Sequence, residues 1–314
     1  MAVEPPVLTW LVTGASSGLG LSISLAALAA GQKVIGCSRD ISKAAAAHPS
    51  FAAKGGIWIQ LDPAHPDSAR HFAQAQAEYD IDVLVNNAGY SFIGGVEDTS
   101  EDEVMDQMNV NFLGPLRAIR AMLPGSSARK VLWAYRADKQ RHRVCQLLHH
   151  ITLHSTTFPD NPYLTNEAHL YYSRSYMNPP GRSTYKASKS AIESIHEILS
   201  PELSPFGIKV LIVEPGSFRT SWTANLKTPI AHEATSGFSE AYKGTPVEQW
   251  VGRAPALKTG PLPDFIRGDP DDAGRAIIKA VIGGYEGTRF DAGARLCRCG
   301  EAAAGGTAGR YSSC

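Results

Sequence analysis

Tyr185 and Lys189 stand four residues apart, so on a helix both side chains lie on one face and reach one cavity. A tyrosine with an ordinary pKa of ~10 is a poor acid or base near neutrality, and an ammonium held beside it favours the phenolate. The pair therefore reads as a proton-transfer couple, with an exposed Tyr/Lys pair on an amphipathic helix as the competing reading. A second group, Thr13-Gly14-Ala15-Ser16-Ser17-Gly18-Leu19-Gly20, suits a phosphate. Backbone N–H groups at a helix start face a pyrophosphate, Gly14 permits a tight turn, Gly18 lets phosphates approach the chain, and Gly20 lets helix and strand pack closely. Thr13, Gly14, Ser16, Ser17, Gly18, Leu19 and Gly20 are the candidate contacts. An ordinary glycine turn is the alternative.

The flanking elements decide between those alternatives. Val7 to Val12 is a short apolar run of strand length, and Leu21 to Ala30 is an Ala/Leu-rich helix, so the glycines sit in a strand–turn–helix unit. The alternation continues with strands at Lys33 to Cys37, Ile57 to Leu61 and Ile81 to Val85, and helices at Asp67 to Tyr79 and Glu101 to Met122. Further on, Ser183 to Leu203 reads as a helix and Ile208 to Val213 as a buried strand. Asp269 to Ile282 reads as a helix capped by Asp269 with Pro270 in its first turn. Apolar strands alternating with helices predict an α/β fold, a doubly wound parallel sheet of Rossmann-like type. No repeat or low-complexity linker divides the chain, so residues 1–314 are expected to form a single domain.

In such a sheet the adenosine ribose lies at the end of the second strand, here Cys37-Ser38-Arg39-Asp40. An acidic residue there accepts hydrogen bonds from a free 2′-hydroxyl, whereas Arg39 forms charge-assisted bonds with a 2′-phosphate. NADP(H) is favoured, and NAD(H) stays open because Asp40 adjoins Arg39, which also reads as a solvated surface charge. Asp62, just after the third strand, is placed to bond the adenine or to cap the approach to the next helix.

TGASSGLG, Asn86-Asn87-Ala88-Gly89, Asn111 in NVNFLG, Tyr185-Lys186-Ala187-Ser188-Lys189 and Glu214-Pro215-Gly216 together resemble the short-chain dehydrogenase/reductase family, over Val7 to about Arg129 and Gly181 to about Gly287. The resemblance implies hydride transfer at a carbonyl or alcohol carbon, with Tyr185 exchanging a proton with the substrate oxygen. Lys189 also holds the nicotinamide ribose and Asn111 helps a water chain carry the proton away. It further implies that Asn87, Ala88 and Gly89 brace the sheet beside the adenosine, and that Pro215, Gly216 and Thr220 meet the nicotinamide carboxamide. A homodimer or homotetramer is implied in the same way. Phe218 to Ile266, irregular and carrying Trp222, Phe238, Trp250 and Phe265, looks like the substrate-covering loop. Its aromatic residues favour an apolar substrate or simply pack the loop.

The pattern breaks between the long helix and Tyr185. The family places a strand there that ends in a catalytic serine a little over a dozen residues before the tyrosine, but position 172 is a tyrosine, and no strand pattern precedes Ser173 or Ser175. His142, His149, His150, His154 and His169, half of the ten histidines, crowd this stretch. Residues of about 131–174 therefore form an atypical insert, and about 289–314 an atypical tail. Displacing the reading frame by one base lets Arg141 to His150 (RHRVCQLLHH) encode Gly-Ile-Val-Cys-Val-Asn-Ser-Ser-Ile, the expected strand and serines; the same operation on Ala294 to Gly306 gives a weaker match. Without that strand its two neighbours lose ladder partners, for which Val131 to Tyr135 or Val144 to Leu153 are poor substitutes. Loss of the serine hydroxyl removes a donor to the developing alkoxide. The expected enzyme is therefore impaired, and a non-catalytic dinucleotide-binding sensor or scaffold is the alternative.

Composition narrows the partners. Thirty Lys+Arg balance thirty Asp+Glu, which removes the electrostatic case for nucleic acid or an anionic membrane and leaves a small-molecule substrate. No apolar run approaches the ~20 residues that span a bilayer, and Met1 to Pro6 lacks the basic start and apolar stretch of a secretion signal. Cys37, Cys145, Cys297, Cys299 and Cys314 are too few and irregular for a disulfide framework, so free thiols and a cytoplasmic location are expected. Cys145 with His149, His150 and His154, and Cys297 with Cys299, lack a corroborating ligand set, and no metal is expected.

Overall fold

Side chains that alternate between two faces explain the architecture of the computed structural model. It describes residues 7–123, 143–149, 180–215, 218–262, 266, 268–285 and 289–291, with backbone only for 143–149, 214, 289 and 291. In β1 (Thr9–Val12), Trp10 and Val12 join one apolar cluster and Leu11 another; in β4 (Val83–Asn86), Val83 and Val85 side with the first cluster and Leu84 with the second. A sheet buried on both faces needs helices on both. The first cluster is closed by α1 (Gly18–Ala29) and the helix Pro270–Ile282, the second by α4 (Ser68–Tyr79) and α6 (Gly114–Met122). Helix α1 approaches Pro270–Ile282 so closely that a Cβ on Gly274 would stand 2.6 Å from the Ser22 carbonyl, and Ser22 Oγ donates to Asp271 Oδ1 at 2.6 Å.

The remaining strands are β2 (Lys33–Ser38), β3 (Ile57–Gln60), β5 (Arg143–His149), β6 (Ile208–Glu214) and β7 (Arg289–Asp291). Among the described residues they form one parallel sheet in the order β3-β2-β1-β4-β5-β6-β7. The doubly wound fold is thus as the sequence predicts, and β1 to β4 and β6 fall within two residues of their expected bounds.

Five features differ. The slot between β4 and β6 is filled, by β5 from within the atypical insert, with Val83 opposite Val144 and Val144 opposite Lys209, and the register shifts at Cys145/Leu147. Two buried strands with unpaired backbone groups require a partner, and that demand overrides the weak strand pattern of RVCQLLH. Of the two substitutes, Val144 to Leu153 therefore overlaps the observed strand, whereas Val131 to Tyr135 lies outside the described residues. The helix expected over Glu101 to Met122 is not uniform: α5 (Glu101–Met108) passes through a π-helical turn, Asn109–Leu113, into α6. Two short helices, α2 (Ile41–Ala47) and α3 (Pro49–Ala53), occupy a stretch for which no element is expected, and β7 pairs with β6 at the start of the atypical tail. The substrate-covering loop is built of short helical pieces, including Pro246–Val251 and Ala254–Thr259.

Candidate active site

The ends of β1 and β4 are laced together at the glycine turn. Thr13 Oγ1 donates to the Val85 carbonyl (3.2 Å) and accepts from the Asn87 and Ala88 N–H groups (3.0 Å each). The Asn87 amide returns two bonds, to the Thr13 carbonyl (2.9 Å) and the Gly14 carbonyl (3.2 Å). Gly14 and Gly18 hold φ of 64° and 53°, a left-handed backbone that glycine adopts without a Cβ penalty. A Cβ on Gly20 would stand 2.5 Å from the Gly14 carbonyl and overlap the Asn87 amide, so the absence of a side chain there is a packing requirement.

Ser17 precedes α1 without making a side-chain cap, and no acidic residue lies in the first turn. The positive end of the helix and its first N–H groups thus open onto the glycine turn, the arrangement that suits a pyrophosphate. Leu19 is buried in the core, which leaves its backbone as the part that can face a ligand. Across the turn lies Thr220, 3.2 Å from where a Gly18 Cβ would be, so the segment after β6 closes over the glycines. Pro215 is buried at the end of β6, and Gly216 lies outside the described residues.

At the end of β2, Arg39 is exposed and Asp40 is spent elsewhere: its carboxylate accepts from the Lys43 N–H (2.9 Å) and caps α2. Asp62 is half-buried and one of its oxygens accepts from the Ala64 N–H (3.0 Å), which closes a local turn, whereas Asp67 takes the N-cap position of α4. His48, which no sequence signal singled out, sits with Nε2 2.9 Å from the Ser16 carbonyl and ties the α2–α3 junction to the glycine turn.

Helix α7 (Ser183–Leu203) carries Tyr185 and Lys189, both nearly fully buried, with Lys189 Nζ 5.9 Å from the centre of the Tyr185 ring. Burial pushes the Lys189 ammonium down to about 8 from its usual 10.5, because the low-dielectric surroundings disfavour its charge. The π-helical turn brings Asn111 to the same point. Such turns widen a helix by one residue and recur at functional sites. Asn111 Oδ1 accepts from the Tyr90 N–H (3.2 Å), and Nδ2 donates to the Tyr90 carbonyl (3.1 Å) and to Ser188 Oγ (3.2 Å). Ser188 Oγ in turn donates to the Tyr185 carbonyl (2.7 Å). Gly89 is the meeting point: a Cβ there would be 3.1 Å from Asn111 Oδ1 and 3.5 Å from Lys189 Nζ.

The loop after Gly89 is fixed by Gln107, whose side chain accepts from the Phe92 N–H (2.8 Å) and donates to the Tyr90 carbonyl (3.1 Å). It pairs with the covering segment through Ile93 N–H to the Lys227 carbonyl (2.8 Å) and Lys227 N–H to the Ser91 carbonyl (3.0 Å). Lys227 Nζ lies 4.6 Å from the centre of the Tyr90 ring, and burial, reinforced by Asp106 and Glu103, pushes the Tyr90 phenol up to about 12. Of the aromatic residues expected to line the cover, Phe238 packs into the cover's own cluster with Ile93, Leu226 and Val251, which is loop packing. Phe265 lies outside the described residues, as do Tyr172, Ser173 and Ser175; β5 contains no serine.

The family described as short chain dehydrogenase matches residues 9–130 and 173–231. A relative from Passalora fulva, "Oxidoreductase claN", is 39% identical over 230 residues, covering 73% of this chain and 90% of its own. A short-chain dehydrogenase from Streptomyces avermitilis superimposes with a TM-score of 0.64 at 31% identity, covering 93% of this chain and 91% of that one. The 3-ketoacyl-(acyl-carrier-protein) reductase from Brucella melitensis, solved with NADH, shares the fold at a TM-score of 0.61 and 18% identity, covering 90% and 96%. No helix among the described residues is long and apolar enough to cross a membrane.

Proposed function

The chain belongs to the short-chain dehydrogenase family and is a dinucleotide-dependent oxidoreductase, and from that premise we propose that it moves a hydride between the nicotinamide of NADP(H) and a carbonyl or alcohol carbon of a small molecule. The observation that carries this reading is the meeting of Lys189 and Asn111 at Gly89, with the Tyr185 ring beside Lys189 and Thr220 closing over the glycine turn. That turn fits a pyrophosphate, since Gly14 and Gly18 hold the left-handed backbone of a tight turn and the uncapped start of α1 opens onto it. Thr13, Gly14, Ser16, Ser17, Gly18, Leu19 and Gly20 would hold the phosphates, Asp62, Asn87, Ala88 and Gly89 the adenosine side, and Pro215, Gly216 and Thr220 the carboxamide. When bound, the dinucleotide supplies or accepts the hydride.

The chain's own part is proton management. During reduction the Tyr185 hydroxyl gives its proton to the substrate oxygen, and during oxidation it takes one back. Charged Lys189 stabilises the phenolate that reduction leaves behind. Asn111 has committed both N–H groups, to Tyr90 and Ser188, so it braces the loop and helix and keeps a lone pair of Oδ1 for a water. Because Lys189 is charged below about pH 8 and neutral above it, kcat/KM for carbonyl reduction falls as pH rises through that value. In Lys189→Met this inflection disappears; a wild-type profile flat from pH 7 to 9 contradicts the assignment.

Arg39, exposed beside an Asp40 already bound to α2, supports NADP(H) over NAD(H), although the Brucella protein shows that the fold also accepts NADH. Charge-assisted bonds to the 2′-phosphate are worth about 1.5–3 kcal/mol, or roughly 10–100-fold in affinity. Arg39→Asp is therefore expected to weaken NADPH binding by that factor and leave NADH unaffected, read by calorimetry. Equal affinity of the wild type for NADPH and NADH would remove the preference. The function itself is tested by following dinucleotide oxidation across a panel of carbonyl compounds, together with the rise in melting temperature that NADPH produces.

A further inference from the structure

The turn that leads into α7 buries a cation that the proton chemistry above does not use. Arg182, which caps the start of α7 in a non-helical conformation, is only 8% exposed. Its guanidinium carbon lies 5.2 Å from the centre of the Trp222 ring, which belongs to the covering segment. The approach is rigid: Gly181 holds φ of 79°, a Cβ on it would stand 2.6 Å from Val251 Cγ2, and its carbonyl accepts from the Gly94 N–H at 2.8 Å. Arg182 is thus clamped between the loop after β4 and the cover, within electrostatic reach of Tyr185.

Among the described residues this cation has no anionic partner, and its buried Nε has no hydrogen-bond partner. Arginine keeps its proton under these conditions, so the charge remains and a docked anion can meet it. Its planar fork matches a carboxylate through two parallel bonds, and the Trp222 face shields it from water without supplying an acceptor.

We propose that Arg182 recognises the substrate, and that the molecule presented to Tyr185 is an oxo acid or hydroxy acid whose carboxylate docks on Arg182 beneath Trp222. This rests on the reading of Tyr185 as the proton donor, and it sets the substrate class at that site. A neutral ketone leaves the guanidinium unmatched, so this one charge discriminates between an acid and its ester. The Tyr185 phenolate and Arg182 also stabilise each other's charge, so a role confined to Tyr185 is the outcome to be separated.

The test uses the full chain loaded with NADP+, with benzoate and methyl benzoate as probes in calorimetric titration. Benzoate is expected to bind at least tenfold more tightly than methyl benzoate; Arg182→Gln erases the difference, and Arg182→Lys retains part of it. In kinetics on paired oxo acids and their methyl esters, Arg182→Gln lowers kcat/KM for the acids at least tenfold more than for the esters. Equal binding of the two probes by wild type overturns the proposal, and this comparison stands even if the variants fail to fold. A uniform loss on acids and esters also overturns it, since that is the signature of an effect through Tyr185. If NADPH raises the melting temperature while the probes bind equally, only this inference falls; if NADPH has no effect, the dinucleotide reading falls first.

Discussion

Tyr185→Phe is expected to lower carbonyl reduction by on the order of 10²–10⁴-fold, the range associated with a positioned acid–base group, while leaving the NADPH-induced rise in melting temperature intact. The substitution removes one oxygen from a buried ring and changes nothing in the glycine turn, which is formed by Thr13, Asn87 and the start of α1. The Ser188 bond to position 185 runs to its backbone carbonyl and survives. Initial rates on any carbonyl that the wild type reduces, set beside thermal melts, make the check. A variant that keeps more than a tenth of the rate refutes the proton-transfer role.

Replacing Arg141 to His150 with Gly-Ile-Val-Cys-Val-Asn-Ser-Ser-Ile, nine residues for ten, is expected to raise turnover by on the order of 10²–10³-fold, the effect of one donor to a developing alkoxide. The backbone of Arg143–His149 already occupies the slot between β4 and β6, so the replacement puts a more regular strand sequence, one residue shorter, into a slot that the sheet already pairs. It brings serine hydroxyls to a strand that has none, on the sheet that also carries the loop to Gly89. Turnover of the natural chain within the ordinary enzyme range, roughly 1–10³ s⁻¹, would show that no such donor is missing. Transcript sequencing across codons 125–185 tests the frame displacement separately. Uninterrupted reads that encode the printed residues of a stable, active protein defeat it.

The parts of the fold that were legible in the sequence are those whose pattern is local. Buried parallel strands such as Val83–Asn86 are apolar throughout, and Asp269 with Pro270 marks a helix start by its own chemistry. Tyr185 and Lys189 were readable because a spacing of four fixes a shared face. Long-range burial left no such trace. Arg182 resembles any arginine at a helix start until Trp222, forty positions later in the chain, folds over it, and His48 gains its role only when α2 and α3 carry it back to Ser16. The π-helical turn was invisible because NVNFL has no propensity that distinguishes it from its flanks. β5 has a poor strand pattern of its own, and only the needs of β4 and β6 give it a place.

The turn at Asn109–Leu113 has one further consequence. A helix with a surplus residue can lose one position and still continue as an ordinary helix, so the seam between α5 and α6 is where this protein tolerates a deletion most readily in its framework. The same loss would swing Asn111 by about 100° around the axis, away from Tyr90 and Ser188. Architecture and chemistry are thus separable at this point, and a descendant lacking that residue would keep its shape while giving up the ties that Asn111 makes between loop and helix.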